Sequence, residues 1–70
     1  MIRKPVSSSN INSIGYKSES GTLEIEFHSG SVYRYFNVPE PVYNALMNAS
    51  SHGSYFHQCI KDQYRWTKIY

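Results

Sequence analysis

The clearest hydrophobic pattern in this chain lies in residues 22–28. Apolar and polar residues alternate there without a break, with Leu23, Ile25 and Phe27 on one side and polar residues on the other. A period of two residues is typical of a β-strand with one buried face. The pattern therefore predicts a strand that packs one face against a core.

Two more segments predict strands on either side of this one. Residues 10–16 carry Ile11 and Ile14, whose spacing breaks strict alternation and favours a β-bulge. Residues 31–36 hold the triplet Tyr-Arg-Tyr after a Ser-Gly turn signal. Each segment is separated from residues 22–28 by a short polar connection that contains glycine. We therefore predict an antiparallel meander of three strands.

The hydrophobic period then lengthens to that of a helix. Pro39-Glu40-Pro41 is a typical helix start, since proline is tolerated in a first turn whose N–H groups lack intrahelical partners. Ser51 is a candidate N-cap for a second helix. The apolar positions predict one core-facing stripe per helix. These positions are Val42, Ala45, Leu46 and Ala49 in the first helix, and Phe56, Cys59, Ile60 and Tyr64 in the second.

The order of these elements predicts an α+β fold of two layers, a three-stranded antiparallel meander sheet with two short helices packed on one face. Residues 1–9 contain a serine run with nothing to bury and are expected to form a flexible lead-in. Residues 10–70 are expected to form a single domain. Residues 65–70 fit either a last helical turn or an extended tail.

The loop before the third strand decides which way Tyr33 and Tyr35 point. A three-residue loop closed by Gly30 places both rings on the core face and sets Arg34 opposite Glu24 on the outside. A two-residue loop reverses the faces and drives Arg34 into the core. We favour the three-residue loop because an unpaired buried charge costs several kcal/mol.

Composition limits the function further. The single cysteine, Cys59, excludes an intramolecular disulfide and suits a reducing cytoplasm, where we expect the protein to act. A net charge of +2 is too small to identify a nucleic-acid partner. No apolar run approaches the roughly 18 residues of a membrane span. Residues 1–5 lack the hydrophobic stretch of a signal peptide, and no membrane association is expected.

Several short motifs occur together in an order that resembles the KTSC domain. They are Ile14-Gly15-Tyr16, Leu23-x-Ile25-x-Phe27, Gly30-x-x-Tyr33-x-Tyr35, Val38-Pro39, Ala49-x-Ser51-x-Gly53-x-Tyr55-Phe56 and Ile60. The family is named for its place at the carboxyl terminus of some lysyl-tRNA synthetases, and it also occurs as stand-alone bacterial or phage proteins. The resemblance covers about residues 8–66 and implies a binding module without established activity, for which RNA has been suggested as a partner.

The strongest candidate for RNA binding is a basic and aromatic tail at the carboxyl end. Cations interleaved with aromatic rings are typical of proteins that bind single strands, in which rings stack on bases and cations contact phosphates. The tyrosines of the Tyr-Arg-Tyr triplet are expected to be buried, so the triplet contributes mainly its cation. The predicted nucleic-acid-binding residues are Arg34, Lys61, Arg65, Trp66 and Lys68.

A protein partner or a homodimer is the alternative. Tyr, Trp and Met are enriched at the centres of protein interfaces, and a small domain gains stability from association. Several such residues lie outside the predicted core stripes. The candidate interface residues are Tyr43, Met47, Tyr55, Trp66 and Tyr70.

Catalytic, metal and cofactor sites find little support in the sequence. His57 and Cys59 stand two apart on a predicted helix, a spacing that does not converge on a metal, and no second cysteine completes a zinc set. Cys59 also falls on the predicted buried face. We therefore expect a protein that is not an enzyme, with no catalytic residues, metal or cofactor.

Overall fold

An antiparallel sheet of five strands forms one layer of the protein, and two helices form the other. The computed structural model describes residues 1–70. The helices are α1 (Glu40–Asn48) and α2 (His52–Cys59). The strands, which lie side by side in chain order, are β1 (Lys4–Pro5), β2 (Ile11–Lys17), β3 (Thr22–Phe27), β4 (Val32–Tyr35) and β5 (Trp66–Lys68).

The α+β class is confirmed, whereas the predicted number of three strands is wrong. The two additional strands, β1 and β5, lie at the two edges of the sheet, and every residue in them is exposed. Such residues show no alternation of buried and exposed positions, so the hydrophobic pattern could not reveal them. β1 lies within residues 1–9, whose mobility stays a prediction, and β5 makes the carboxyl end extended rather than helical.

The turn between β3 and β4 has the predicted three-residue form. The Gly30 N–H donates to the carbonyl oxygen of Phe27 at 2.9 Å, and Gly30 has φ 96°, a conformation that glycine adopts without steric cost. Glu24 consequently lies opposite Arg34, as predicted. The irregularity predicted in the first strand is also present, because the register of β2 shifts next to Ile11.

The hydrophobic core lies between the inner face of the sheet and the two helices. Ile14 of β2, Ile25 of β3 and Leu46 of α1 are each completely buried there. Burying such a side chain contributes roughly 1.5–3 kcal/mol. The buried core residues are Ile11, Ile14, Leu23, Ile25, Tyr35, Val38, Leu46, Phe56 and Ile60.

The core-facing side of α1 agrees with the prediction at Val42 and Leu46, which lie in or against the core, and differs from it at other positions. Ala45 is exposed, whereas Tyr43 and Met47 pack against the core. The Tyr43 ring stacks on Tyr16 of β2, with ring centroids 4.6 Å apart and planes 9° from parallel. The helix is therefore rotated so that its larger side chains, rather than its alanine, cover the sheet.

In α2 the predicted cap is confirmed and one core residue is wrong. The Ser51 side chain accepts a hydrogen bond from the Ser54 N–H at 3.2 Å. Phe56 and Ile60 are buried, but Cys59 is exposed. The helix ends at Cys59, so Ile60 and Tyr64, which both pack in or against the core, lie beyond the helix rather than on its apolar face. Neither helix of the structure is long enough to cross a membrane.

Candidate nucleic-acid interface

The helices leave part of the inner face of the sheet uncovered, and a groove of about 600 Å³ lies there. One wall comes from strands β3 to β5 and the other from α2 and the loop that follows it. The volume lies within the range of small-ligand sites. We call this feature the aromatic groove, and its aromatic lining consists of Phe27, Tyr33, Tyr35, Phe56 and Trp66.

The rings of the aromatic groove contact one another in series. The distance between ring centroids is 5.4 Å from Trp66 to Tyr33 and 5.7 Å from Tyr33 to Phe27. The centroid of Phe27 lies 5.5 Å from that of Phe56. The Phe56 ring makes an edge contact with Tyr35 at 5.4 Å. These distances and tilted geometries are those that aromatic pairs prefer. The series leads from the buried core to Trp66, which is 53% exposed.

The two tyrosines of the central triplet differ in burial. Tyr35 is only 3% exposed, and burial, with smaller effects of Tyr33 and Asp62, raises its pKa to about 12. Tyr33 is half-buried and lines the groove beside Trp66. Both rings lie on the core face, as the favoured register predicts, but Tyr33 keeps contact with solvent.

Three of the five predicted nucleic-acid-binding residues lie on the groove side of the sheet. Lys61 and Trp66 line the groove itself. Lys68 lies opposite Tyr33 in the β4–β5 register, and strand alternation places it on the same face as Trp66. Neither lysine takes part in any of the ion pairs of the structure. Their charges are therefore available to an anionic ligand.

The other two predicted residues, Arg34 and Arg65, do not join this group. Arg34 points to the outer face of the sheet, where its Nε donates to Glu24 Oε1 at 2.9 Å. Arg65 lies just before β5 and does not line the groove. The predicted set is thus divided between the two faces of the sheet.

The outer face carries an ionic cluster centred on Glu24. This residue is only 4% exposed and accepts hydrogen bonds from Arg34 and from Arg3, which precedes β1. Burial alone would raise the pKa of Glu24, but the hydrogen bonds and charges of both arginines outweigh it and lower the pKa. Sequence reasoning identified Arg34 as a partner and missed Arg3, because β1 carries no hydrophobic signal.

The candidate protein-interface residues also fall into two groups. Tyr43, Met47 and Tyr55 are half-buried and pack against the core. Trp66 and Tyr70 remain 53% and 84% exposed. Only the second group offers large apolar surface to a partner.

Two of the three histidines, His52 and His28, make hydrogen bonds to backbone carbonyls. The His52 ring donates through Nδ1 to the Leu46 carbonyl at 2.8 Å, and His28 donates through Nε2 to the Ser8 carbonyl at 2.8 Å. No group of three or more His, Cys, Asp or Glu side chains is arranged to hold a metal ion.

Comparison with known proteins identifies the family. A family model for the KTSC domain matches residues 7–64. The chain is 46% identical over 70 residues to an uncharacterised protein of Stutzerimonas stutzeri, an alignment that covers 99% of each protein. The crystal structure of a KTSC domain protein from Yersinia pestis superposes with a TM-score of 0.96 at 42% identity, covering 99% of this chain and 97% of that one.

Larger proteins carry a similar segment. A lysine–tRNA ligase of Trichormus variabilis is 48% identical over 54 residues, which are 77% of this chain and 10% of that protein. The chain thus spans about a tenth of the ligase. Because the family model and full-length relatives agree over nearly the whole sequence, the chain belongs to the KTSC domain family.

Proposed function

We propose that this KTSC domain is a non-enzymatic module that binds single-stranded RNA in the aromatic groove. The observation that carries the proposal is the Trp66 ring, which is 53% exposed at the groove and contacts Tyr33 at 5.4 Å. An unpaired base that stacks on such a ring gains roughly 1–3 kcal/mol. The groove admits a single strand rather than a duplex, because the bases of a duplex are already stacked on one another.

Charge supports an anionic partner of modest affinity. Lys61 and Lys68 lie on the groove side and form no ion pair, so each can contact one phosphate. Two such contacts lower the affinity about sevenfold between 50 and 200 mM salt, given a slope of about 0.7 per contact for single strands. The similar segment in a ligase named for tRNA is consistent with an RNA partner.

The single tryptophan provides a direct test. Trp66 is the only one in the chain, so its fluorescence reports on base stacking without interference. A mixed-sequence single-stranded octanucleotide RNA should quench it at 50 mM salt and bind about sevenfold more weakly at 200 mM. Variants that replace Trp66 lose this fluorescence signal, so the affinities of all variants are measured by the NMR chemical-shift changes of amides in the groove.

Two matched variants test whether RNA binds to the ring in the groove or to any exposed aromatic ring. Trp66→Ala should weaken binding about fivefold to more than a hundredfold, the equivalent of 1–3 kcal/mol. Tyr70→Ala removes a ring that is more exposed but does not line the groove, so it should leave affinity unchanged. Absence of quenching and of amide shifts at 50 mM salt would overturn the proposal.

A second candidate, association with a protein, is favoured by the edge of the sheet at β5. All three residues of β5 are exposed, and Ile69 and Tyr70 beyond it are 40% and 84% exposed. An exposed edge can pair with a strand of a partner or of a second copy. Association through this edge and Trp66 should persist in 500 mM salt, whereas a monomer mass in sedimentation at millimolar concentration would contradict the homodimer.

A further inference from the structure

We propose that the aromatic groove prefers guanine among unpaired bases, with the carboxylate of Asp62 accepting hydrogen bonds from the guanine edge. This inference rests on the proposed function, since it names the base that the same groove takes. Asp62 is the only carboxylate that lines the groove. A negative charge weakens binding of a polyanion, so in an RNA-binding groove we expect the carboxylate beside Lys61 to offset this cost through a specific contact with the ligand.

The carboxylate of Asp62 is free to make that contact. It takes part in none of the ion pairs of the protein, and it is exposed. Asp62 lies in the loop after α2, on the wall that faces the strands. Trp66, on β5, lines the opposite wall of the groove. A base stacked on Trp66 would thus present its edge toward the Asp62 side of the groove.

Hydrogen-bond chemistry selects guanine from the four bases. An ionised carboxylate has two oxygens that only accept. Guanine offers two adjacent donors on its Watson–Crick edge, N1–H and the N2 amino group, which match those two oxygens. Adenine and cytosine offer one amino group beside a ring nitrogen that itself accepts, and uracil offers one N–H between two carbonyl oxygens. Only guanine forms a paired, charge-assisted contact without placing an acceptor against the carboxylate.

The test compares heptanucleotides that differ at one position. Five RNAs of the form UUUXUUU, with X as guanine, inosine, adenine, cytosine or uracil, are titrated against Trp66 fluorescence at 50 mM salt and pH 7. A single guanine avoids association between strands. We expect the guanine RNA to bind about tenfold more tightly than the adenine, cytosine and uracil RNAs. Inosine, which lacks the N2 amino group, should fall between them.

Asp62→Asn tests the residue itself. The amide replaces one acceptor with a donor, so the preference for guanine should fall to twofold or less, while binding of the all-uracil RNA stays equal or becomes slightly tighter. Glu19→Gln is the matched control, because it removes the same charge from an exposed loop residue that does not line the groove. It should keep the full preference.

The outcomes distinguish the two proposals. If no RNA quenches Trp66 or shifts groove amides, the proposed function fails. If all five RNAs bind equally, or if Asp62→Asn keeps the guanine preference, the function stands and the guanine inference is overturned. Unchanged amide spectra of the free variants show that each substitution leaves the fold intact.

Discussion

At the scale of single residues, Glu24 shows how a charge can be held inside a small domain. Its carboxylate is 4% exposed and lies between Arg3 and Arg34 on the outer face of the sheet. A buried carboxylate without partners would be strongly unfavourable. The guanidinium groups of Arg3 and Arg34 each donate a hydrogen bond to one of its oxygens. The register of β3 and β4 places Arg34 directly opposite Glu24.

Glu24→Gln should therefore destabilise the protein and change its acid sensitivity. Hydrogen bonds to charged groups contribute about 1.5–3 kcal/mol, so we expect a loss of about 1–3 kcal/mol at pH 7. The pKa of Glu24 is lowered from 4.5 in the folded protein, so its contribution is complete above pH 4.5 and is lost as the pH falls through the folded value.

Urea unfolding at pH 7, 5, 4 and 3 measures both effects. The difference in unfolding free energy between the wild-type protein and Glu24→Gln should narrow below pH 4.5. Glu19→Gln, at an exposed position, should change little at any pH. A difference that does not depend on pH would contradict this account of Glu24.

At the scale of elements, the turn between β3 and β4 sets the faces of the whole sheet. Gly30 has φ 96°, and no heavy atom lies within 4 Å of the position of an added Cβ. A side chain at this position would therefore cause no steric clash, and its only cost would be that of a left-handed backbone conformation. The turn places Tyr33 and Tyr35 inside and Arg34 outside, since side chains alternate along a strand.

Gly30→Ala should destabilise the protein by about 1–2 kcal/mol, the cost of a left-handed backbone for a residue with a Cβ. Gly53→Ala is the control, because its methyl group would meet its nearest neighbour at an ordinary 3.6 Å and no positive φ is required. Urea unfolding should show a loss for the first variant and none for the second. Equal stability of the two variants would show that the turn tolerates a side chain.

Strand β1 is a second element that rests on a glycine, in this case through close approach. An added Cβ at Gly15 of β2 would lie 3.0 Å from Arg3 Cγ and 3.2 Å from the Ile2 carbonyl oxygen. The amino-terminal segment thus crosses the outer face over Gly15. This contact brings Arg3 to Glu24.

Gly15→Ala should loosen β1, because the methyl group pushes Ile2 and Arg3 away from the sheet. The Val6 N–H, which donates to the Asn12 carbonyl oxygen at 3.1 Å, provides the readout. Its amide hydrogen should exchange several-fold faster in the variant, while amides of β3 keep their relative protection. An unchanged exchange rate at Val6 would contradict the role of Gly15.

At the scale of the whole molecule, the two faces of the sheet differ in whether their cations are paired with carboxylates. On the outer face, Arg3 and Arg34 form ion pairs with Glu24. The inner face carries the core and, beyond the helices, the aromatic groove with unpaired Lys61. The net charge of +2 is therefore less informative than the face on which each cation lies.

Arg34→Ala should consequently affect mainly stability, whereas Lys68→Ala should affect mainly RNA binding. Arg34→Ala removes a partner of buried Glu24, so it should lower stability by about 1–3 kcal/mol and leave RNA affinity within twofold. Lys68→Ala should change stability by less than about 0.5 kcal/mol and reduce the salt dependence of binding by about 0.7 in logarithmic slope. Unfolding and RNA titrations measure the two quantities, and an equal loss of affinity in both variants would contradict the division of faces.

The hydrophobic pattern predicts the three central strands, both helices and the bulge near Ile11, and residue type predicts the cap at Ser51. These features depend on interactions between near neighbours in the chain, such as alternation, helical spacing and turn geometry. The pairing of Glu24 with Arg34 also followed, because a three-residue turn fixes the register. Family membership depends on the same ordered motifs.

The edges of the sheet, and the contacts that they make, could be seen only in the folded protein. β1 and β5 consist of exposed residues held by backbone hydrogen bonds, which leave no hydrophobic signature in the sequence. β1 brings Arg3 to Glu24, and β5 places Trp66 beside Tyr33 and completes the aromatic groove. Backbone pairing is available to almost any residue, so the sequence determined the core, whereas the assembled sheet decided the site.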